Sequence, residues 1–189
     1  IHRALEDPNR YQTIYASEEG SVAAPTAGLH FTSELLGLIR GMGVEIVEIL
    51  LHIGLDTFRP VQVDKITDHK LHTEYYSISA EAAHSINVAK MEKRKIFCIG
   101  TTSVRTLEQS ALKGGGKVIE GSGWADLFIF PGHKFAVVDA LVTNFHLPKS
   151  SLLMLVSSFA GREVILNTYG EAISHQYRFY SFGDAMMIL

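Results

Sequence analysis

The sequence predicts an α/β fold in which buried, parallel strands form a sheet or barrel with helices packed outside. Three observations predict it. Apolar, strand-like runs alternate along the chain with stretches of helical spacing. Ile96-Phe97-Cys98-Ile99 is short and continuously apolar, as strands covered on both faces are. Polar clusters fall where strand-like runs end, at His52-Ile53-Gly54, Gly100-Thr101-Thr102-Ser103, Pro131-Gly132-His133 and Asn144-Phe145-His146. The carboxyl ends of parallel strands are where such folds assemble their sites.

Taken in order, Thr32 caps a helix through Ser33-Glu34-Leu35-Leu36 to Arg40, which Gly41 and Gly43 end. The apolar run from Val44 to Ile53 reads as a strand, and Leu71 to Ile78 as extended chain. Ser79 caps a second helix, with Glu81 in its first turn and Ala82, Ile86 and Ala89 at near-helical spacing. Lys95 to Ile99 is a buried parallel strand, followed by a helix from Ser103 to Leu112 that Gly114-Gly115-Gly116 closes. Asp126 to Phe130 and Phe135 to Asn144 are further strand candidates. Ser150 caps an apolar helix to Ala160, and a last helix carries Ile165, Tyr169 and Ile173.

Composition narrows the function classes. The chain has 189 residues, of which 47% are apolar, enough for a sizeable core. Its net charge of −3 gives no compositional support for nucleic-acid binding, so any RNA-binding surface must be local or lie elsewhere. The single cysteine, Cys98, sits in an apolar run and reads as a small core residue; there is no disulfide framework. The apolar stretch Ser151 to Ala160 is too short to span a bilayer, and no amino-terminal leader pattern is visible. The expectation is a cytoplasmic globular protein that does not engage membranes.

Familiar cofactor loops are missing. Gly114-Gly115-Gly116-Lys117 lacks the following Ser or Thr of a phosphate loop, and Gly121-Ser122-Gly123 lacks the third glycine of a dinucleotide fingerprint. Gly100-Thr-Thr-Ser-Val-Arg-Thr-Leu-Glu108 joins a strand to a helix start, which offers N–H groups and hydroxyls to an anion, with Arg105 as a clamp or in a structural ion pair. Asp68-His69-Lys70-Leu71-His72-Thr73-Glu74 holds two imidazoles beside carboxylates. His69, His72 and Glu74 allow a metal reading, but their spacing fits acid–base or polar roles better, and no metal is expected. His52 with Thr57 and Arg59, and Asn144 with His146, complete the polar clusters. Phe58 and Phe145 suit either core packing or stacking on a purine.

These stretches resemble the S-adenosylmethionine:tRNA ribosyltransferase-isomerase family of queuosine biosynthesis. The likeness is carried by Ser21-Val-Ala-Ala-Pro-Thr-Ala-Gly-Leu-His-Phe31, Leu51-His-Ile-Gly54 with Thr57-Phe-Arg-Pro-Val61, His69-Lys-Leu-His-Thr-Glu-Tyr-Tyr76 and Gly100 to Glu108. It continues through Gly121-Ser-Gly-Trp-Ala-Asp-Leu-Phe-Ile129, Asn144-Phe-His-Leu-Pro-Lys-Ser150 and Tyr177-Arg-Phe-Tyr-Ser-Phe-Gly-Asp-Ala-Met186.

The resemblance implies that residues 1–189 are the carboxy-terminal part of a barrel-like, TIM-related catalytic domain. The amino-terminal segment and the family's inserted β-barrel domain are absent from it. It implies transfer and isomerisation of the ribosyl moiety of S-adenosylmethionine onto 7-aminomethyl-7-deazaguanine at the wobble position of tRNA. The products are epoxyqueuosine-tRNA, adenine and methionine. Separately from the resemblance, the spacing of His69, His72 and Glu74 sets the expectation of no metal, and a monomer is expected. His30, His72, Glu74 and His146 are the acid–base candidates. Thr101, Thr102 and Arg105 are expected to hold the methionine carboxylate or a phosphate, and Asp126 and Asp184 to orient cationic groups. His52, Thr57, Arg59 and Asn144 are further binding candidates. His52, Thr101, Arg105, Asn144 and His146 are expected to share one concavity.

Overall fold

The computed structural model describes residues 7–54 and 73–189. Two three-stranded sheets, five α-helices and two short 3-10 helices, Pro8–Tyr11 and Thr26–His30, make up the regular structure of these residues. Helix α1 (Ser33–Gly41) precedes β1 (Leu50–His52); β2 (Glu74–Ile78), α2 (Ala80–Met91), β3 (Phe97–Ile99) and α3 (Thr101–Lys113) follow. Then come β4 (Gly121–Ala125), β5 (Ala140–Asn144), α4 (Ser151–Ala160), α5 (Arg162–Ser174) and β6 (Ala185–Ile188). One sheet has the order β1-β2-β4 and the other β3-β5-β6.

The caps read from sequence form as expected. Thr32 accepts from the Leu35 N–H, Ser79 from Ala82 and Ser150 from Leu153, each taking one of the donors a helix start leaves open. The third helix begins at Thr101, two residues earlier than expected. Gly100, at φ 89°, makes the abrupt turn from strand to helix that an L side chain would strain.

The expectation of parallel strands is met only at β3 and β5, where Phe97, Cys98 and Ile99 pair with Ala140, Leu141 and Val142. The other pairings among the described strands, β1 with β2, β2 with β4 and β5 with β6, are antiparallel. The fold is thus a mixed α/β arrangement. Its core runs through both sheets and α3, joining Tyr76, Ile78, Val104, Leu107, Leu141, Leu155 and Val156. Cys98 is buried there, and burial pushes its thiol well above the ordinary value, as a packing residue requires.

Four runs expected as strands are not strands over their full length: β3 begins only at Phe97, which is exposed rather than buried, and side chains of α3 account for two of the others. Residues 126–130 are irregular, because Gln109 Oε1 accepts from the Asp126 and Leu127 N–H groups while Arg105 donates to the Ala125 and Leu127 carbonyls. Residues 135–139 are irregular because the Glu108 carboxylate accepts from the Ala136, Val137 and Val138 N–H groups at 2.8–2.9 Å. A helix's polar side chains here do what a neighbouring strand would do. Residues 44–49 have no strand partner among the described residues, so only Leu50–His52 of that run forms β1. Strand β6, unanticipated from sequence, closes the edge of β5 through Leu141↔Ile188 to Asn144↔Ala185.

A candidate active-site cavity at the ends of β3 and β5

A cavity of about 260 Å³ opens where β3 hands over to α3 and β5 hands over to α4. Leu51, Ile53, Ile99 and Leu152 supply apolar wall; Thr26, Thr101, Thr102, Asn144, His146 and Tyr180 supply the polar groups. This mixture suits orientation of a small organic molecule. Its position follows from the topology. β3 and β5 are parallel neighbours, so the loops at their carboxyl ends emerge side by side.

No side chain caps the start of α3. Gly100, Thr101, Thr102 and Ser103 all line the cavity, so the N–H groups of the first turn and the threonine hydroxyls are placed for an anionic group. Across the cavity, the His146 backbone N–H donates to the Tyr169 hydroxyl (2.9 Å), and its Nε2 shares a hydrogen bond with Thr143 Oγ1 (3.1 Å). His146 keeps a partly accessible edge, yet burial pushes its imidazole down to about 4. At neutral pH it is uncharged.

Asn144, buried at the end of β5, joins two segments distant in sequence. Its Oδ1 accepts from the Thr26 hydroxyl at 3.0 Å, and its Nδ2 donates to His30 Nε2 at 3.0 Å. Hydrogen bonds from the Arg178 side chain and backbone N–H hold the Asp184 carboxyl below the usual range, and Asp184 lies near His30. Tyr180 lines the cavity with φ 71°, an uncommon backbone for a non-glycine residue, and its N–H donates to the Phe145 carbonyl.

The structure therefore brings Thr101, Thr102, Asn144 and His146 to one cavity, with His30 directly behind Asn144. It does not bring Arg105 or His52 there. The Arg105 guanidinium is buried, pairs with Glu74 Oε2 at 2.9 Å and donates to the Ala125 and Leu127 carbonyls. Burial lowers its affinity for the proton, and Glu74 and Asp126 oppose that shift. Glu74, 1% exposed, is Arg105's partner, and Asp126 accepts from Gln109 Nε2 at 2.8 Å. Leu51 and Ile53 line the cavity, but strand alternation turns His52 away, and its ring packs against Tyr75 at 5.5 Å and against Gly20. Thr57, Arg59, His69 and His72 lie outside the described residues.

Thr26, Thr143, Tyr169 and Tyr180 were not anticipated from the sequence. Thr26 had a signal: it is the one polar residue in the run from Val22 to Gly28, whose other members are apolar. Tyr169 was read only as one turn of an amphipathic helix, since a contact with residue 146 leaves no local trace.

A mixed α/β domain with a polar cavity at the ends of adjacent parallel strands is a recurrent setting for a small-molecule site. The chain belongs to the queuosine biosynthesis protein family, which it matches over residues 1–188. It is 59% identical over 189 residues to the S-adenosylmethionine:tRNA ribosyltransferase-isomerases of Desulforamulus reducens and Symbiobacterium thermophilum. The match takes in 100% of this chain and 55% of each relative, so the chain spans about half the length of the relatives it matches. The crystal structure of an S-adenosylmethionine tRNA ribosyltransferase from Thermotoga maritima has the same fold, with a TM-score of 0.70 and 41% identity over 87% of this chain and 51% of that one. Family membership, expected from the motifs, is borne out.

Proposed function

We propose that this chain forms the cosubstrate-handling part of an S-adenosylmethionine:tRNA ribosyltransferase-isomerase. The ribosyl moiety of S-adenosylmethionine passes to the aminomethyl nitrogen of 7-aminomethyl-7-deazaguanine at the tRNA wobble position. It is isomerised there to the epoxycyclopentane of epoxyqueuosine, and adenine and methionine leave. One observation carries the reading: the uncapped start of α3 opens on a cavity whose other polar groups include an uncharged imidazole. Relatives 59% identical along the whole of this chain bear that enzyme's name.

Thr101, Thr102 and the first N–H groups of α3 hold the methionine carboxylate or a phosphate, because hydroxyls and aligned amides stabilise negative charge without a mobile cation. His146 accepts or relays a proton as a neutral base. His30 takes part through Asn144. Arg105, Glu74 and Asp126 hold the frame beside the cavity. His72, Thr57 and Arg59 remain assigned to catalysis and substrate binding by the motifs that contain them. The complete protein adds an amino-terminal segment and an inserted β-barrel domain, closes a barrel-like, TIM-related catalytic domain, and acts in the cytoplasm as a monomer without metal.

Isotope placement tests the reaction. With full-length protein and suitably modified tRNA, label in the ribose of S-adenosylmethionine enters RNA, and label in the methyl group does not. Methyl incorporation would contradict ribosyl transfer. Activity abolished by a chelator and restored by zinc or manganese would contradict the metal-free route.

A further inference from the structure

We propose that Asn144 is a positioning residue that presents His30 to the reaction with Nε2 unprotonated, so that proton transfer at His30 depends on the group at position 144. The inference rests on the reading of the cavity as the reaction site. Its basis is the hydrogen-bond chain Thr26–Asn144–His30, whose members come together from positions 26, 144 and 30. Asn144 is 4% exposed, and its backbone at the end of β5 pairs with β6, with Ala185 directly opposite. Its amide is therefore fixed in place.

The chemistry of the amide sets the direction. Oδ1 faces the Thr26 hydroxyl and the NH₂ end faces His30. An NH₂ group can only donate, so the Nε2 it meets must carry a lone pair, and the neutral ring holds its proton on Nδ1. A proton placed on Nε2 would oppose one donor with another. Thr26 and Asn144 also line the cavity, whereas His30 is partly accessible just behind them.

The charged groups facing His30 come from the terminal loop. Asp184 lies near it and is itself bound to Arg178 at 2.7 Å. From β5, the residue bonded to His30 is the uncharged Asn144. Two residues before His30, Gly28 packs against the Tyr15 hydroxyl, whose proton burial also secures. Asn144 is thus the polar contact that discriminates between protonation patterns at Nε2.

The test compares pH–rate profiles of ribosyl transfer in the full-length protein for wild type, N144D, H30Q and the double variant. A carboxylate at 144 accepts from both Thr26 and a protonated Nε2. The acid limb of the N144D profile therefore moves to higher pH by about 1–3 units, the size expected for an opposite charge at this range. H30Q lowers kcat by about 10²–10⁴-fold, as for loss of a proton-transfer group. The shift disappears when N144D is placed on H30Q. An N144D profile superimposable on wild type, or an equal shift in the H30Q background, overturns the proposal. Long-range ¹⁵N–¹H NMR of histidine-labelled wild-type protein tests the same point without a variant. His30 is expected as the Nδ1–H tautomer, and a proton on Nε2 would contradict it even if N144D failed to fold. A wild-type protein with no ribosyl transfer at all would strike the proposed function instead, and the NMR result would still decide the tautomer.

Discussion

His146 carries a cost in acid that can be measured. Its imidazole titrates near 4 in the folded chain, against 6.5 in the absence of burial. Above 6.5 it is neutral in both states and contributes no pH dependence. As the pH falls from 6.5 toward 4 the unfolded chain takes up a proton that the folded chain refuses, so stability is lost across that window. Below 4 both states are protonated and the loss is complete, at about 3 kcal/mol. Urea unfolding of wild type and H146Q at pH 7 and pH 4.5 measures it: the variant is expected to lose less stability between the two. Equal losses would mean that His146 is freely solvated. Arg105 makes the complementary case. Arg105→Met removes the buried cation that bonds Glu74 and the Ala125 and Leu127 carbonyls, and is expected to cost about 3–5 kcal/mol. A cost below about 1 kcal/mol would indicate that the pair is not part of the frame.

Helix α3 organises the molecule at the scale of elements. Ten of its residues are buried, and polar ones among them, Arg105, Glu108, Gln109 and Ser110, hold the backbone of residues 119–138. Glu108→Ala leaves the Val137 and Val138 N–H groups buried without an acceptor, at about 1–3 kcal/mol each. Amide hydrogen exchange at residues 136–138 should accelerate more than at β5; uniform acceleration would show that the carboxylate is not a local staple. The same feature explains what could and could not be read from sequence. Caps at Thr32, Ser79 and Ser150 were legible because capping is local. The irregularity of residues 126–130 and 135–139 was not, because apolar runs look like strands unless a distant Gln or Glu is known to take their N–H groups. Arg105 looked like an anion clamp for the same reason: its partner, Glu74, is 31 residues away. That Thr101, Thr102, Asn144 and His146 gather at one cavity was legible because parallel strand ends lie side by side, as β3 and β5 do within a largely antiparallel pair of sheets.

At the scale of the whole molecule, α1 has no buried residue, and Leu38 and Met42 are 69% and 81% exposed. Residues 44–49, lacking a strand partner among the described residues, continue that apolar surface through Val44 and Val47. The relatives are nearly twice as long as this chain, and we propose that their additional segment covers such surface. Residues 1–189 alone are therefore expected to aggregate and to be inactive; a monodisperse, cooperatively unfolding fragment would contradict this. The central claim, that the ends of β3 and β5 form the cosubstrate site, is tested most directly by a crystal structure of the full-length protein with S-adenosylmethionine. The account predicts the methionine carboxylate at the Thr101–Thr102 start of α3, with the ribose toward Asn144 and His146. Cosubstrate bound elsewhere, with that helix start facing only solvent, would contradict it.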